Sequence, residues 1–207
     1  MFADDSRTAS WFPIVALEGP SGIGKSTLLH LISDRLIRDG IRFEQCSNND
    51  SGRWSTVIRE LASGPDRPLT LALSTAAARA ELREGAQRPQ LCDRFVISTL
   101  VYQRFAGLPM EYLYAANHPL LAAAVTFVLR LDAEALLARR SSQVRKPDWF
   151  KDRLGIGEEV ELYDQAAALL TANGHDVRMM DASADEKTLA AQLAAEIKPI
   201  FQRSGAS

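Results

Sequence analysis

The chain has 207 residues, of which 46% are hydrophobic and 24% are charged, and its formal net charge at pH 7 is -2. This length favours one compact domain, and the charge balance gives no reason to expect a surface that binds nucleic acid. Because no apolar run reaches the length of a membrane-spanning helix, we also expect no membrane partner. Residues 1–11 are polar and predicted to be a disordered tail before a single domain at 12–207.

The first predicted element is an apolar, partly β-branched strand at residues 12–17, followed by a glycine-rich loop. The loop, Gly19-Pro20-Ser21-Gly22-Ile23-Gly24-Lys25-Ser26, matches G-x-x-x-x-G-K-[ST] at every fixed position. A helix is predicted at 26–38, so the motif lies between a strand and a helix. This context is the one that a phosphate-binding P-loop requires.

The P-loop predicts a nucleoside triphosphate as ligand. Backbone amides of the loop and the start of the helix would contact the phosphates, and the Lys25 ammonium would reach the outer ones. The hydroxyl of Ser26 would bind Mg²⁺. The expected nucleotide-binding residues of the loop are Gly19, Ser21, Gly22, Ile23, Gly24, Lys25, Ser26 and Thr27.

Further elements follow in chain order. The sequence predicts a strand at 41–46, a polar turn at 47–52, helices at 54–62 and 69–84 separated by a break at 64–66, and a strand at 89–92 that ends at Asp93. It then predicts a helix at 98–105, a strand at 125–131, a helix at 133–140 capped by Asp132, a helix around 160–170 and a strand at 177–180. Ser183 and Glu186 form a predicted capping box for a last helix, which Pro199 would bend or end.

Strands that alternate with helices predict an α/β fold: a five-stranded, mostly parallel sheet flanked by helices, with the ligand crevice at the carboxyl ends of the strands. Cys46 and Cys92 each end an apolar strand and show no metal or redox spacing, so we expect two small, buried, reduced side chains. The three histidines are scattered, and no histidine metal site is expected.

A second motif follows the third predicted strand, where Asp93-Arg94-Phe95 is followed by Ser98, Thr99 and Tyr102-Gln103. Together with the P-loop, this D-R-[aromatic]-x-x-S-[ST]-x-x-Y-Q pattern resembles the thymidylate kinase family of P-loop nucleotide kinases. The similarity extends over most of the chain, including Ala78-Arg79-Ala80 and Asp181-Ala182.

The resemblance implies roles for these residues. Asp93 would act near Mg²⁺ or the acceptor oxygen, and Arg94 would contact the phosphoryl groups between donor and acceptor. Phosphoryl transfer needs such groups because its catalysis is mainly alignment and charge stabilisation. The remaining implied contacts are to the acceptor by Arg79, Ser98, Thr99 and Tyr102, and to the adenine edge by Asp181 and Ala182.

A basic stretch around residues 140–154 corresponds to the mobile lid of the family. A lid arginine could bring positive charge to the transferred group, since the loop itself carries Ile23 at its variable position. Arg145 is the first candidate for this catalytic role and Arg139 the second. A solvated, basic helix end is the alternative for each of them.

Three departures from the family pattern fall on the acceptor side. Ser21 stands where the family usually has an aspartate that meets the sugar hydroxyl. After the second strand, the family usually has an arginine followed by a Pro-Gly-rich turn, whereas this chain has Ser47 followed by a polar stretch. Thr75 stands where the family usually has a phenylalanine that stacks on thymine. In the related deoxynucleoside kinases, a glutamate at the end of the second strand acts as a base on the acceptor hydroxyl. Glu44 lies close to that place and is our candidate for this role, with a charge at the strand edge as the alternative.

The leading hypothesis is a cytoplasmic, Mg²⁺-dependent kinase that transfers the γ-phosphoryl of ATP to a nucleoside monophosphate, dTMP or a related nucleotide. One alternative is a kinase of a nucleoside or another small hydroxylated metabolite. A nucleotide-dependent switch protein is the alternative of another class, although no N-K-x-D guanine motif occurs. The resemblance also implies a homodimer.

Overall fold

A computed structural model describes residues 11–47, 52–63, 67–141 and 154–203. Five strands form one sheet: β1 Ile14–Glu18, β2 Glu44–Ser47, β3 Gln90–Asp93, β4 Ala124–Arg130 and β5 Asp176–Asp181. The order across the sheet is β2-β3-β1-β4-β5, and every neighbouring pair is parallel. This confirms the predicted five-stranded α/β architecture.

Helices cover both faces of the sheet. They are α1 Lys25–Arg38, α2 Arg53–Ser63, α3 Pro68–Glu84, α4 Val96–Phe105, α5 Met110–Asn117, α6 Ala133–Ser141, α7 Ile156–Ala172 and α8 Glu186–Gln202, with a short 3₁₀ helix at His118–Leu121. The sequence did not predict α5 or the 3₁₀ helix. No helix in the described ranges is long and apolar enough to cross a bilayer.

The central strand β1 is buried on both faces, as its uninterrupted apolar run requires. Ile14 and Ala16 pack with α4 and α7 on one face, whereas Val15 and Leu17 pack with α1 and α8 on the other. The period of two along the strand therefore divides the core into two layers. This fixes the carboxyl ends of β1 and β3 side by side, with Leu17 opposite Asp93.

The cysteines differ from the prediction. Cys46 and Cys92 face each other in register on β2 and β3, and the structure joins them in a disulfide. The expectation of two reduced thiols is therefore wrong. Its reason is register: the sequence shows that each cysteine ends a strand but not that the two strands are neighbours at these residues.

One predicted feature of the helix ends is also wrong, and a second is wrong in part. Asp185, not Ser183, caps α8 by accepting a hydrogen bond from the Thr188 amide at 3.0 Å. Of the two outcomes expected at Pro199, an end to the helix is wrong, since α8 continues to Gln202. The predicted cap on α6 is confirmed, since the Asp132 carboxylate accepts a hydrogen bond from the Ala135 amide at 2.7 Å.

Candidate active site

The P-loop joins β1 to α1 through backbone that only glycine adopts comfortably. Gly19 has φ 140°, and a Cβ there would lie 2.8 Å from the carbonyl oxygen of Leu129 on β4. Gly24, with φ 105°, is the N-cap of α1 and offers no side chain to the helix amides. Ser26 and Thr27, which follow, are exposed. The start of α1 is therefore open to an anion.

Lys25 is folded back onto its own loop. Its Nζ donates hydrogen bonds to the carbonyl oxygens of Gly19 at 2.8 Å and Pro20 at 2.7 Å, and the residue is 6% exposed. Burial, and secondarily the nearby Arg94 guanidinium, lower the pKa of Lys25 well below its ordinary value. A phosphate group in the loop would offer the ammonium the negative charge that the carbonyl groups supply only in part.

Arg94 lies between the loop and α4. Its backbone has φ 67°, uncommon for a residue with a side chain, and its amide donates to the Leu17 carbonyl at 3.1 Å. Its Nη1 lies 3.3 Å from the Gly19 carbonyl and 3.0 Å from Ser98 Oγ. The predicted arginine is thus brought against the P-loop, where the guanidinium and the Lys25 ammonium share the Gly19 carbonyl.

Asp93 ends β3 at the same edge of the sheet. One of its carboxylate oxygens, Oδ1, is buried and has no hydrogen-bond partner among the described residues. Asp93 and Ser26 line one cleft of about 480 Å³, together with Gln45, Cys46 and Ser47 from β2. The two predicted metal-binding residues therefore face the same space.

The predicted acceptor residues are brought together, but within the protein interior. Arg79, Thr99 and Ser98 are each less than 5% exposed. The Arg79 guanidinium donates to Thr99 Oγ1 at 2.6 Å, to the Phe95 carbonyl at 2.8 Å and to Asn117 Oδ1 at 2.9 Å. Burial lowers the pKa of Arg79 to about 10, so the side chain still carries its charge at neutral pH.

Glu18, which the sequence analysis did not single out, holds the start of α4. Its carboxylate is fully buried and accepts hydrogen bonds from the amides of Phe95 at 2.7 Å and Ser98 at 3.1 Å and from Ser98 Oγ at 2.5 Å. An acidic residue at the end of an otherwise apolar strand was the available signal. Its carboxylate does for α4 what a local N-cap side chain would do.

Two residues of α7 were also missed. Glu159 accepts hydrogen bonds from Tyr102 Oη and from the Ser21 amide, both at 2.8 Å, and Tyr163 Oη accepts one from Arg94 at 2.6 Å. Burial raises the pKa of Tyr163 to about 12 and that of Tyr102 well above its ordinary value, so both keep their protons at neutral pH. The signal in the sequence was the four-residue spacing of Glu159 and Tyr163, which places both on one face of α7.

Arg139 lies against the P-loop from α6. Its guanidinium donates to the Ile23 carbonyl at 2.8 Å and to the Ala182 carbonyl at 3.3 Å. Ala182 follows β5 and is buried, whereas the Asp181 carboxylate accepts hydrogen bonds from Ser183. Arg145 and most of the predicted lid lie outside the described residues.

Glu44 does not lie where the sequence analysis placed it. It is the first residue of β2 and pairs with Gln90 at the amino end of β3, whereas Asp93 and the P-loop occupy the carboxyl edge. The expected base at the end of the strand is therefore corrected: the residue at that end is Ser47. Thr75 is buried and donates to the Ala72 carbonyl at 2.8 Å.

Comparison with known proteins identifies the family of the chain. A sequence model of the thymidylate kinase family matches residues 17–183, a span that includes the P-loop, Asp93-Arg94 and Asp181-Ala182. The chain belongs to the thymidylate kinase family. It is accordingly a nucleotide-binding P-loop kinase, a transferase of phosphoryl groups.

The chain is similar to several curated thymidylate kinases. It is 31% identical to the thymidylate kinase of Synechococcus sp. strain JA-3-3Ab over 205 residues, and this alignment covers 89% of this chain and 95% of the relative. The thymidylate kinase of Synechococcus sp. strain JA-2-3B'a(2-13) is 31% identical over 89% of this chain and 94% of its own length. That of Symbiobacterium thermophilum is 35% identical over 62% of this chain and 67% of its own.

Proposed function

We propose that this chain transfers the γ-phosphoryl group of ATP to the phosphate of a nucleoside monophosphate, with dTMP as the first acceptor to test. The supporting observation is the convergence of the Lys25 ammonium and the Arg94 guanidinium on the Gly19 carbonyl. Two cations beside an open helix start suit a reaction in which charge spreads over the oxygens of the transferred group. The relatives' own name gives dTMP its priority.

Lys25 leaves the loop carbonyls for the outer phosphates of the donor, and Arg94 contacts the transferred group from the α4 side. Gly19, Ser21, Gly22, Ile23, Gly24 and Thr27 complete the donor loop. Arg139 lies between the loop and Ala182, so it and the turn at Asp181 are our candidates for contact with the nucleotide. Arg145 remains the candidate for a catalytic arginine of the lid.

The residues present fit Mg²⁺. This ion prefers hard oxygen ligands and keeps several waters. The cleft offers the exposed Ser26 hydroxyl and the buried Oδ1 of Asp93, which has no hydrogen-bond partner in the part of the chain that the structure describes. Ser26 would bind the ion directly and Asp93 directly or through water. The ion would neutralise developing charge on the phosphate oxygens.

We assign acceptor binding to the part of α3 and α4 that carries the buried side chains of Arg79, Ser98, Thr99 and Tyr102. The Arg79 guanidinium uses three hydrogen bonds to hold α4 and α5, so its contribution is to the placement of these helices. The adjoining cleft beside Ser26 and Asp93 gives the acceptor access to the transferred group.

A second candidate acceptor is a nucleoside or another small hydroxylated molecule. The described residues that line the cleft include neither lysine nor arginine, and Thr75 has no ring to stack on a base. Gln45, Ser47 and Asp93 offer polar groups suited to hydroxyls. Glu44 starts the strand at the opposite edge, so we do not assign it a role as base.

The test is a panel of acceptors with γ-labelled ATP and Mg²⁺, comprising the common nucleoside monophosphates, their nucleosides and neutral polyols. Phosphorylation of dTMP or another monophosphate supports the leading proposal. Transfer to a hydroxyl compound but to no monophosphate would replace it with the second candidate. Nucleotide binding without turnover of any acceptor would favour a switch protein instead.

We further propose a cytoplasmic homodimer of one-domain subunits. Leu69 and Leu73, one turn apart on α3, are each 47% exposed, and Val57 on α2 is 40% exposed. Exposed apolar side chains grouped on neighbouring helices favour a contact with a second copy. Light scattering on the purified chain, with Leu73→Glu as the disrupting variant, tests this assembly.

A further inference from the structure

Glu159 holds the P-loop at Ser21. Its Oε1 accepts hydrogen bonds from the Ser21 amide and from Tyr102 Oη, each at 2.8 Å, and its Oε2 pairs with the guanidinium of Arg140. Arg140 Nε in turn donates to the Ser21 carbonyl at 2.7 Å. One buried ion pair therefore engages both backbone groups of a single loop residue.

Helix energetics do not explain why this carboxylate is buried. Glu159 is 0% exposed, and taking a carboxylate out of water costs several kcal/mol unless it is paired and hydrogen-bonded. An acidic residue in the first turn of a helix favours the helix dipole, but Glu158 serves that purpose from an exposed position one residue earlier. The partners of Glu159 point instead to the loop.

The contacts of Glu159 reach the machinery of phosphoryl transfer from the acceptor side. Tyr102 Oη donates to Glu159, which leaves its oxygen as an acceptor, and Arg94 Nη1 approaches that oxygen at 3.3 Å. The same Nη1 lies 3.3 Å from the Gly19 carbonyl. Glu159, Tyr102 and Arg94 thus connect Ser21 to Gly19 around one side of the loop.

Ser21 precedes the amides at the start of α1 that face the donor phosphates. A carboxylate bonded to the Ser21 amide therefore does not occupy the helix start, where Ser26 and Thr27 are exposed. The loop has a serine rather than an acid at this position, and the negative charge beside it comes from α7.

We propose that Glu159 is a positioning residue for phosphoryl transfer, which sets the place of the P-loop at Ser21 and, through the Tyr102 hydroxyl, the place of the Arg94 guanidinium. This inference rests on the proposed function. Glu159 itself is fully buried and acts through Ser21, Tyr102 and Arg140.

The experiment compares Glu159→Gln with the matched control Glu158→Gln. In steady-state assays with the acceptor found in the panel, we expect Glu159→Gln to lower kcat/KM for the acceptor by about tenfold to a hundredfold, because misplacement of the reacting groups weakens alignment. The dissociation constant of ATP, measured without acceptor by calorimetry, should rise by a smaller factor than kcat/KM for the acceptor falls, because Lys25 and the amides at the start of α1 are left in place. Glu158→Gln should match the wild type in both.

Hydrogen exchange supplies a readout that needs no acceptor. Replacing the carboxylate by a neutral amide should speed exchange of the Ser21 amide by about tenfold, because a hydrogen bond to a charged acceptor is stronger than one to a neutral acceptor. If the wild type phosphorylates no monophosphate while this change is seen, the proposed function fails and the loop contact stands. Unchanged exchange at Ser21 overturns the positioning role.

Tyr102→Phe covers the case in which Glu159→Gln does not fold. It removes the hydroxyl and keeps the ring, so kcat/KM for the acceptor should fall while the dissociation constant of ATP changes by a smaller factor. If both variants fold, the double variant should lose no more activity than Glu159→Gln alone. Full activity of Tyr102→Phe, or an equal loss of ATP and acceptor binding in Glu159→Gln, would overturn the proposal.

Discussion

The donor and acceptor sides of this site are built differently. On the donor side, Ser26 and Thr27 are exposed, and Lys25 rests on loop carbonyls that it can leave. On the acceptor side, Arg79 and Ser98 are buried and hydrogen-bonded to other side chains. The start of α1 on the donor side is open to a ligand, whereas the acceptor side is closed by hydrogen bonds among buried side chains. Variants on the first side should therefore lose chemistry, and variants on the second should also lose stability.

Lys25→Ala should produce the largest effect and sharpen this contrast. Removal of one positioned cation should lower turnover by a factor of about 10²–10³. The fold should be retained, because burying the ammonium costs free energy that its hydrogen bonds to the loop carbonyls offset only in part. A coupled kinase assay and thermal unfolding measure the two outcomes. Lys198→Ala, at an exposed lysine paired with Asp39, is the control. Wild-type turnover in Lys25→Ala would contradict the donor site.

Glu18→Gln should show the opposite balance. It removes the charge that caps α4, and the glutamine places an NH₂ group where a carboxylate oxygen accepted a hydrogen bond. The free energy of unfolding should therefore fall by about 3 kcal/mol. Urea denaturation measures this change. Glu134→Gln, at an exposed position in the first turn of α6, should cost less than about 0.5 kcal/mol. If the two variants had the same free energy of unfolding, the claim that variants on the acceptor side also lose stability would be wrong.

The disulfide lies where the two sides meet, because Cys92 precedes Asp93 and Cys46 lines the cleft. Replacing both cysteines by serine should lower the free energy of unfolding by about 2 kcal/mol, since a cross-link restricts the unfolded chain. Thiol titration of the unreduced, unfolded wild type should detect no free thiol. Two reactive thiols in that titration would contradict the disulfide.

The smallest expected effect is a proton taken up with ATP. Burial lowers the pKa of Lys25, so at alkaline pH part of the free protein has a neutral amine there. Triphosphate favours the ammonium and raises this pKa again, so binding takes up a fraction of a proton and weakens as pH rises through that range. Calorimetry in buffers of different ionisation enthalpy measures the uptake. Lys25→Ala should show none.

The sequence was most informative where the structure is local. The P-loop, the five strands and the cap at Asp132 depend on residues that are near one another in the chain. Helix α5 was missed because it is short and follows a Gly-Leu-Pro turn that predicts irregular structure. The capping box at Ser183 was wrong because Asp185, nearer the helix start, competes for the same amides.

The rest of the site depends on register and on distant contacts. The disulfide follows from the pairing of β2 with β3, and the role of Glu18 follows from the position of α4 beside the end of β1. Glu159 lies 138 residues from Ser21 in the chain. Periodicity and motif spacing carry no information about contacts of this range, which is why these parts of the site could not be predicted from the sequence.

The close approach of Gly19 to Leu129 has one more consequence. Because Gly19 lies directly against the backbone of β4, the position of the P-loop depends on the spacing between β1 and β4. Core substitutions that shift β4 should therefore change the affinity for the donor, although they replace no residue that contacts it. Evolution of this enzyme can adjust donor affinity through its core.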